Sequence, residues 1–383
     1  ESIFDLTTAH LNTGMRGIPV GTCRTSFVTP TEGVHYCGYP ISELAMMSPE
    51  DIVYLLFHKE LPTLEESSAF RKNLQSRGTL PSGVEEVLAT LPKDGHPMDW
   101  LSIGIHTLGM LGGVGDWKED ALNLIARMPE LMARIFLLRG GNKEKLQPSR
   151  PELGLVENFV HMLGITGEEA EKMHRVLRFF FILHLDHGGG NLSTFTGKAV
   201  ASGRASVYAS IASAMNALSG PLHGRANQAC LEFVQRIGTD DPVEIEEFVR
   251  AELAAKRPIF GFGHGVLRAE DPRARLLIGL GGEVCPDDEN YRIVKTLREV
   301  VPPILKEHPK IKNPYPNVDL GSGSLLHAIG FRKPEYYTTF FGWARVAGIC
   351  AQIMDERNAR DGRGTPIYRP KYIPRNQPHR RLD

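Results

Sequence analysis

"ALNLIARMPELMARIF", residues 121–136, is the stretch on which the fold class turns. Ala121, Leu124, Ile125, Met128, Leu131, Met132, Ile135 and Phe136 recur at three- and four-residue spacing, which lines one face of an α-helix. Pro129 interrupts the stripe. A proline removes a backbone donor and bends a helix, but the apolar period continues past it, so one kinked helix is expected. The same period returns along the chain. "DDPVEIEEFVRAEL" (240–253) opens with Asp241 as a cap, Pro242 suited to a first turn, and Glu244, Glu246 and Glu247 at the positive end. Residues 205–222, rich in Ser, Ala and Gly, read as a tightly packed helix, and "KPEYYTTFFGWARVAGICAQIMDER" (333–357) as one long helix. Strand signals are few: "GTCRTSFV" and "GVHYCGY" can pair as a small hairpin around Pro30–Gly33. No alternation of strands with helices runs through the chain, so the expected class is all-α.

The chain has 383 residues, enough for a sizeable core and more than one lobe. Lys+Arg number 44 and Asp+Glu 45, a balance that argues against general binding of nucleic acid or a membrane surface. No run of about 20 apolar residues could span a bilayer. The first residues lack the basic and apolar regions of a secretory signal. Five scattered cysteines show no zinc spacing and read as free thiols of a reducing compartment, so the cytoplasm is the expected location. An organelle-targeting peptide removed earlier would leave no trace in this sequence.

Breaks fall at Gly220-Pro221, Arg257-Pro258, between Gly279 and Asp287, and at Asn313–Pro316. They suggest a smaller lobe over 224–324, carried on a body made of 1–223 and 325–383. Four segments share one character, a chemical side chain among Gly or Pro between helical patterns: "LDHGGGN" (His187), "GPLHGRAN" (His223), "FGFGHGVLRAEDPR" (His264) and "NPYPNVDLGSG" (Asp319). Glycine lets backbone approach a ligand closely, and loops on rigid helices commonly carry chemistry. At the first, Asp186 and His187, with His184 just before the segment, could be read as metal ligands of a hydrolase. On a helix 184 and 187 share a face while 186 points elsewhere, so no metal is expected. "GFGHGV" opens no strand–helix–strand unit, so a nicotinamide site is not expected either.

These four segments, with "GMRGIPVGTCRTSFV", "LLFHKELPT" and "LPKDGHPMDW", occur in the order and spacing of the citrate synthase family, which the chain resembles over nearly its whole length. The resemblance implies an all-α fold with a large and a small helical domain and the active site in the cleft. It implies condensation of acetyl-CoA with oxaloacetate and water to citrate and CoA, the step at which acetyl units enter the tricarboxylic acid cycle. No cofactor is held permanently; acetyl-CoA is a co-substrate. Asp319 is then the base that takes the methyl proton, His223 the hydrogen-bond donor to the thioester oxygen, and His264 the group polarising the oxaloacetate ketone. One acid–base group supplies only about 10²–10⁴ in rate, so the base needs such an electrophilic partner.

The resemblance also assigns substrate binding to His187, with Asn191 as its orienter, and to Arg273, Arg345 and Arg369. Guanidinium forks match carboxylates, and oxaloacetate has two. Arg369 is expected to reach the partner's site in a homodimer. For CoA the candidates are Arg268, Arg257, Lys312 and Asn317. The family's common first loop has a glutamate where this chain has Gly188, so no carboxylate role is expected there. The extended N-terminal domain of the large, NADH-inhibited subclass has no counterpart here, so the small dimeric type without that inhibition is expected. 2-Methylcitrate synthase, using propionyl-CoA with the same set, is the near alternative. One methylene separates the two substrates, worth about 1–3 kcal/mol of discrimination. Citryl-CoA lyase is a remoter one.

Overall fold

The computed structural model describes residues 2–373. It is helical nearly throughout, with one three-stranded antiparallel sheet near the N-terminus. Ser26–Thr29 pairs with Gly33–Tyr36 in the register Ser26 to Tyr36 and Thr29 to Gly33. This is the hairpin read from the sequence; a third short strand, Tyr39–Pro40, extends it. The stripe that opened the analysis lies in the helix Trp117–Arg139, which runs through Pro129 without a break. Asp116 caps it by accepting from the Lys118 and Glu119 N–H groups, both at 2.9 Å. The helix Pro242–Ala254 starts as expected, with Asp241 capping Val243 and Glu244.

Two hydrophobic clusters organise the packing. The larger draws on residues from Val34 to Met354. The smaller uses residues from Cys230 to Leu320 only, with Phe233, Val249, Val294 and Leu297 among its members. The helix Tyr337–Asn358 is buried along most of its length at the centre of the larger one. Gly348 permits this: a Cβ there would lie 2.0 Å from the Leu185 carbonyl oxygen. Bare backbone at 348 thus lets this helix touch the turn that carries His187.

The hairpin acts as a bridge between functional loops. The Tyr36 hydroxyl, fully buried, donates to the Ile182 carbonyl at 2.9 Å and accepts the Asp186 N–H at 3.2 Å. At the hairpin's tip the Pro30 carbonyl accepts the Arg268 N–H at 2.7 Å. Gly33, at φ +86°, presses on Pro272, where a Cβ would come within 2.6 Å of Cδ. Pro272 begins the helix Pro272–Val284 that bears Arg273. Among the described residues no helix is long and apolar enough to cross a membrane.

Candidate active site

The helix Gly167–His184 brings an apolar run into the core and ends at the first loop. His184 is buried; its ring stacks on Phe180 with centroids 4.1 Å apart, and Nδ1–H donates to the Phe180 carbonyl at 2.7 Å. Asp186 is fully buried and accepts from the Thr25 hydroxyl, from Gln352 Nε2 at 2.8 Å and from the His187 N–H at 2.9 Å. Two of the three side chains that suggested metal ligands, His184 and Asp186, are thus engaged with protein donors and acceptors. Gly188 then turns at φ +69°, a left-handed conformation that a glutamate would adopt only with strain.

Asn191 caps the helix Leu192–Ser202. Its Oδ1 accepts from the Thr194 N–H at 3.1 Å and the Ser193 hydroxyl at 3.0 Å. Its Nδ2 donates to the Gly188 carbonyl at 3.0 Å and the His187 carbonyl at 3.4 Å. Every polar position of the amide is therefore used within the loop. The amide ties the His187 turn to the following helix and leaves no donor or acceptor over for substrate.

Two of the expected site histidines have their tautomers set by backbone donors. His223, in the turn after the helix Val207–Leu218, accepts the Ser193 N–H at Nε2, 3.1 Å away. The ring proton therefore sits on Nδ1, leaving an N–H to donate elsewhere. Burial, with the nearby Arg345 charge, pulls its pKa down to about 4, so it is neutral near pH 7. In His264 the pattern reverses: Nδ1 accepts the Val266 and Leu267 N–H groups, both at 3.0 Å, so Nε2 carries the proton. Burial and the Arg273 charge lower its pKa too. The His187 and His264 rings lie 5.6 Å apart, and burial with Arg273 and Arg345 holds His187 well below the usual histidine range. Three histidines here are neutral donors, not charged ones.

Arg273 is 3% exposed and forms a paired interaction with fully buried Asp271, Nη2 to Oδ2 at 2.7 Å and Nε to Oδ1 at 3.1 Å. Arg345 is 2% exposed. Its Nε donates to the His184 carbonyl at 2.9 Å and its guanidinium lies 4.7 Å over the Phe341 ring. Among the described residues it forms no ion pair, and burial lowers its pKa to about 10. Burying a cation is costly; the Asp186 carboxylate within electrostatic range favours its charged form and Arg273 opposes it. The unpaired guanidinium is placed to take a carboxylate of a bound anion.

Asp319 begins the helix Asp319–Ala328. Burial raises its pKa to about 6, against the opposing pull of Arg273. Asn317 connects this base to the His264 loop: Nδ2 donates to the Gly263 carbonyl at 2.9 Å, and Oδ1 accepts the Asp319 N–H at 3.0 Å. Asn317, expected at CoA, is thus engaged as a loop staple.

The other CoA candidates sit outside this cluster. Arg268 is exposed, its guanidinium folded onto carbonyls of its own loop, including Leu267 at 2.7 Å. Arg257 pairs with Glu252, Nη2 to Oε1 at 2.6 Å, and Lys312 is exposed. Arg369 lies exposed on the extended C-terminal segment, joined to no member of the cluster. Sequence reasoning missed Ser193, whose N–H fixes His223 from 30 residues away, and Asp271 as the partner of Arg273. The Asp271-Pro272 pair was legible as a helix cap; the ion pair was not.

The chain is similar to known proteins over nearly its whole length. The family model "Citrate synthase, C-terminal domain" matches residues 14–371. The chain is 36% identical to citrate synthase 4, mitochondrial, of Arabidopsis thaliana, over 94% of this chain and 80% of that protein. It is 35% identical to 2-methylcitrate synthase, mitochondrial, of Yarrowia lipolytica, over 94% and 82%. The crystal structure of citrate synthase from Thermotoga maritima superposes with a TM-score of 0.83 at 30% identity, covering 96% of this chain and 97% of that one. The chain belongs to the citrate synthase family.

Proposed function

We propose that this enzyme condenses acetyl-CoA with oxaloacetate and then hydrolyses the thioester, releasing citrate and CoA. The observation that carries the proposal is Arg345, buried with no ion pair among the described residues, beside the Arg273–Asp271 pair and among neutral histidines. Oxaloacetate supplies the ion-pair partner. One of its carboxylates pairs with Arg345 and Arg273 places the molecule, with His187 as a further donor. His264 Nε2–H points at the ketone oxygen and draws electrons from its carbon.

Asp319 takes a methyl proton from acetyl-CoA while His223 Nδ1–H stabilises the oxygen of the resulting enol. The enol carbon then forms the new C–C bond to the ketone carbon, and the ketone oxygen takes its proton from His264. Water cleaves the citryl thioester, giving the third carboxylate and the CoA thiol. A base near pKa 6 is strong enough to accept a proton yet ionised at neutral pH, which favours this assignment.

Several finer readings go with it. The smaller lobe, 224–324, closes over bound oxaloacetate and completes the acetyl-CoA site; the separate cluster of residues 230–320 supports a unit able to move. Arg268 meets a CoA phosphate, with Lys312 beside it. The active form is a homodimer in which exposed Arg369 enters the partner's site. The five free cysteines favour a reducing compartment, and the cytoplasm is the proposed location. The identity to a 2-methylcitrate synthase equals that to citrate synthases, so propionyl-CoA is the second acyl donor to test. The experiment is release of CoA thiol from acetyl-CoA with and without oxaloacetate, repeated with propionyl-CoA. Oxaloacetate-dependent release is expected; no such release from either thioester refutes the reading, and a faster propionyl reaction moves it to methylcitrate synthesis.

A further inference from the structure

Three consecutive glycines, Gly188 to Gly190, separate His187 from Asn191, and such a segment has almost no path of its own. Asn191 Nδ2 ties the Gly188 carbonyl from within the loop at 3.0 Å, and the rest of the hold comes from outside it. Ser26 Oγ accepts the Gly188 N–H at 2.7 Å, which fixes one point. One outside side chain reaches both Asp186 and Gly188. Gln352 Nε2 donates to Asp186 Oδ1 at 2.8 Å and to the Gly188 carbonyl at 3.1 Å. Asp186 Oδ1 in turn accepts the His187 N–H at 2.9 Å. Gln352 thus grips the chain on both sides of His187 with its two amide protons.

Gln352 is itself held. It is 2% exposed on the helix Tyr337–Asn358, and its Oε1 accepts from Lys198 Nζ at 3.2 Å. Lys198, buried on the helix Leu192–Ser202, pairs with Glu356 at 2.9 Å. Gly189 lies directly over the contact: a Cβ there would sit 2.9 Å from Lys198 Nζ and 3.3 Å from Gln352 Oε1. A buried lysine, glutamine and aspartate cost desolvation that apolar residues of the same volume avoid, so stability alone does not account for them. Their hydrogen bonds end on the backbone that aims His187.

We infer that Gln352, kept in place by Lys198, is a positioning residue that sets the His187 loop for oxaloacetate. The inference rests on the proposed reaction. Its mechanism is geometric: a displacement of about 1 Å at a binding group can cost about 10²-fold, and Gln352 touches no reacting atom.

The test uses the full-length enzyme, with Gln352→Leu, Gln352→Glu and Lys198→Met. Oxaloacetate is titrated directly by calorimetry, and both KM values, kcat and the thermal midpoint are recorded. Gln352→Glu keeps the length and the Lys198 contact but donates nothing to Asp186 or Gly188. Both Gln352 variants are expected to raise the oxaloacetate Kd and KM about tenfold or more. The acetyl-CoA KM should stay within about twofold and the midpoint of Gln352→Leu within a few degrees, whereas Gln352→Glu sets a second carboxylate against Asp186 and should also lower the midpoint. Lys198→Met should shift the same constant less. An unchanged oxaloacetate Kd in both Gln352 variants overturns the inference, as does a parallel fall in midpoint, kcat and both affinities. A parent enzyme that neither binds oxaloacetate nor releases thiol sinks the proposed reaction instead, which separates the two failures.

Discussion

Asp319→Asn should make the protein more stable at alkaline pH while removing its activity. In the fold the Asp319 carboxyl has its pKa raised from 3.8 to about 6, first through burial. The helix start favours the anion by about 0.3–1 kcal/mol, and burial outweighs it. At about 1.4 kcal/mol per pKa unit, the ionised carboxylate costs the fold about 3 kcal/mol. Asp319 keeps part of its surface exposed, so solvent screening reduces this to about 1–2 kcal/mol.

The sign follows from proton uptake. The folded pKa lies above the unfolded one, so the native state binds the extra proton between about pH 4 and pH 6. The parent is therefore destabilised at pH 8 and regains stability as pH falls through about 6. Asparagine carries no charge and removes the penalty at all pH values. Urea midpoints of parent and variant should differ by about 1–2 kcal/mol at pH 8 in favour of the variant, a gap that closes towards pH 4. Thiol release should fall about 10²–10⁴-fold in the variant, and in the parent should drop with decreasing pH below about 6. A variant less stable than the parent at pH 8, or a gap that ignores pH, refutes the reasoning.

Arg345→Met should weaken oxaloacetate binding by about 2–5 kcal/mol, as expected for truncating a buried charge partner, with little loss of thermal midpoint because Arg345 lacks an ion pair in the fold; midpoint loss with normal binding would count against it. His223→Phe should reduce kcat about 10²–10³-fold, the effect of losing one oxyanion donor, while calorimetric oxaloacetate affinity stays within about threefold; lost affinity with normal kcat would reverse the assignment. Prolonged dialysis against a chelator should leave thiol release unchanged; a loss restored by Zn²⁺ would reinstate His184, Asp186 and His187 as ligands.

The sequence by itself determined the helical class and pointed to the candidate chemical groups. Apolar residues at helical spacing have one good solution in water, and the cap at Asp241 and the Pro30–Gly33 turn act over a few residues, so both were readable locally. The glycine-flanked His187, His223, His264 and Asp319 were legible because each segment keeps its own local pattern. Tertiary structure alone decided how these groups work. Arg345, assigned to substrate through the resemblance, is a buried cation whose Nε meets the His184 carbonyl and which forms no ion pair among the described residues. Asn317, read as a CoA contact, and Asn191, read as the orienter of His187, spend their amides tying loops together. The tautomer of His223 depends on an N–H 30 residues away, and the aim of His187 on a glutamine 165 positions along the chain. Hydrogen bonds and burial across such separations leave no periodic trace, because they exist only once the helices have packed.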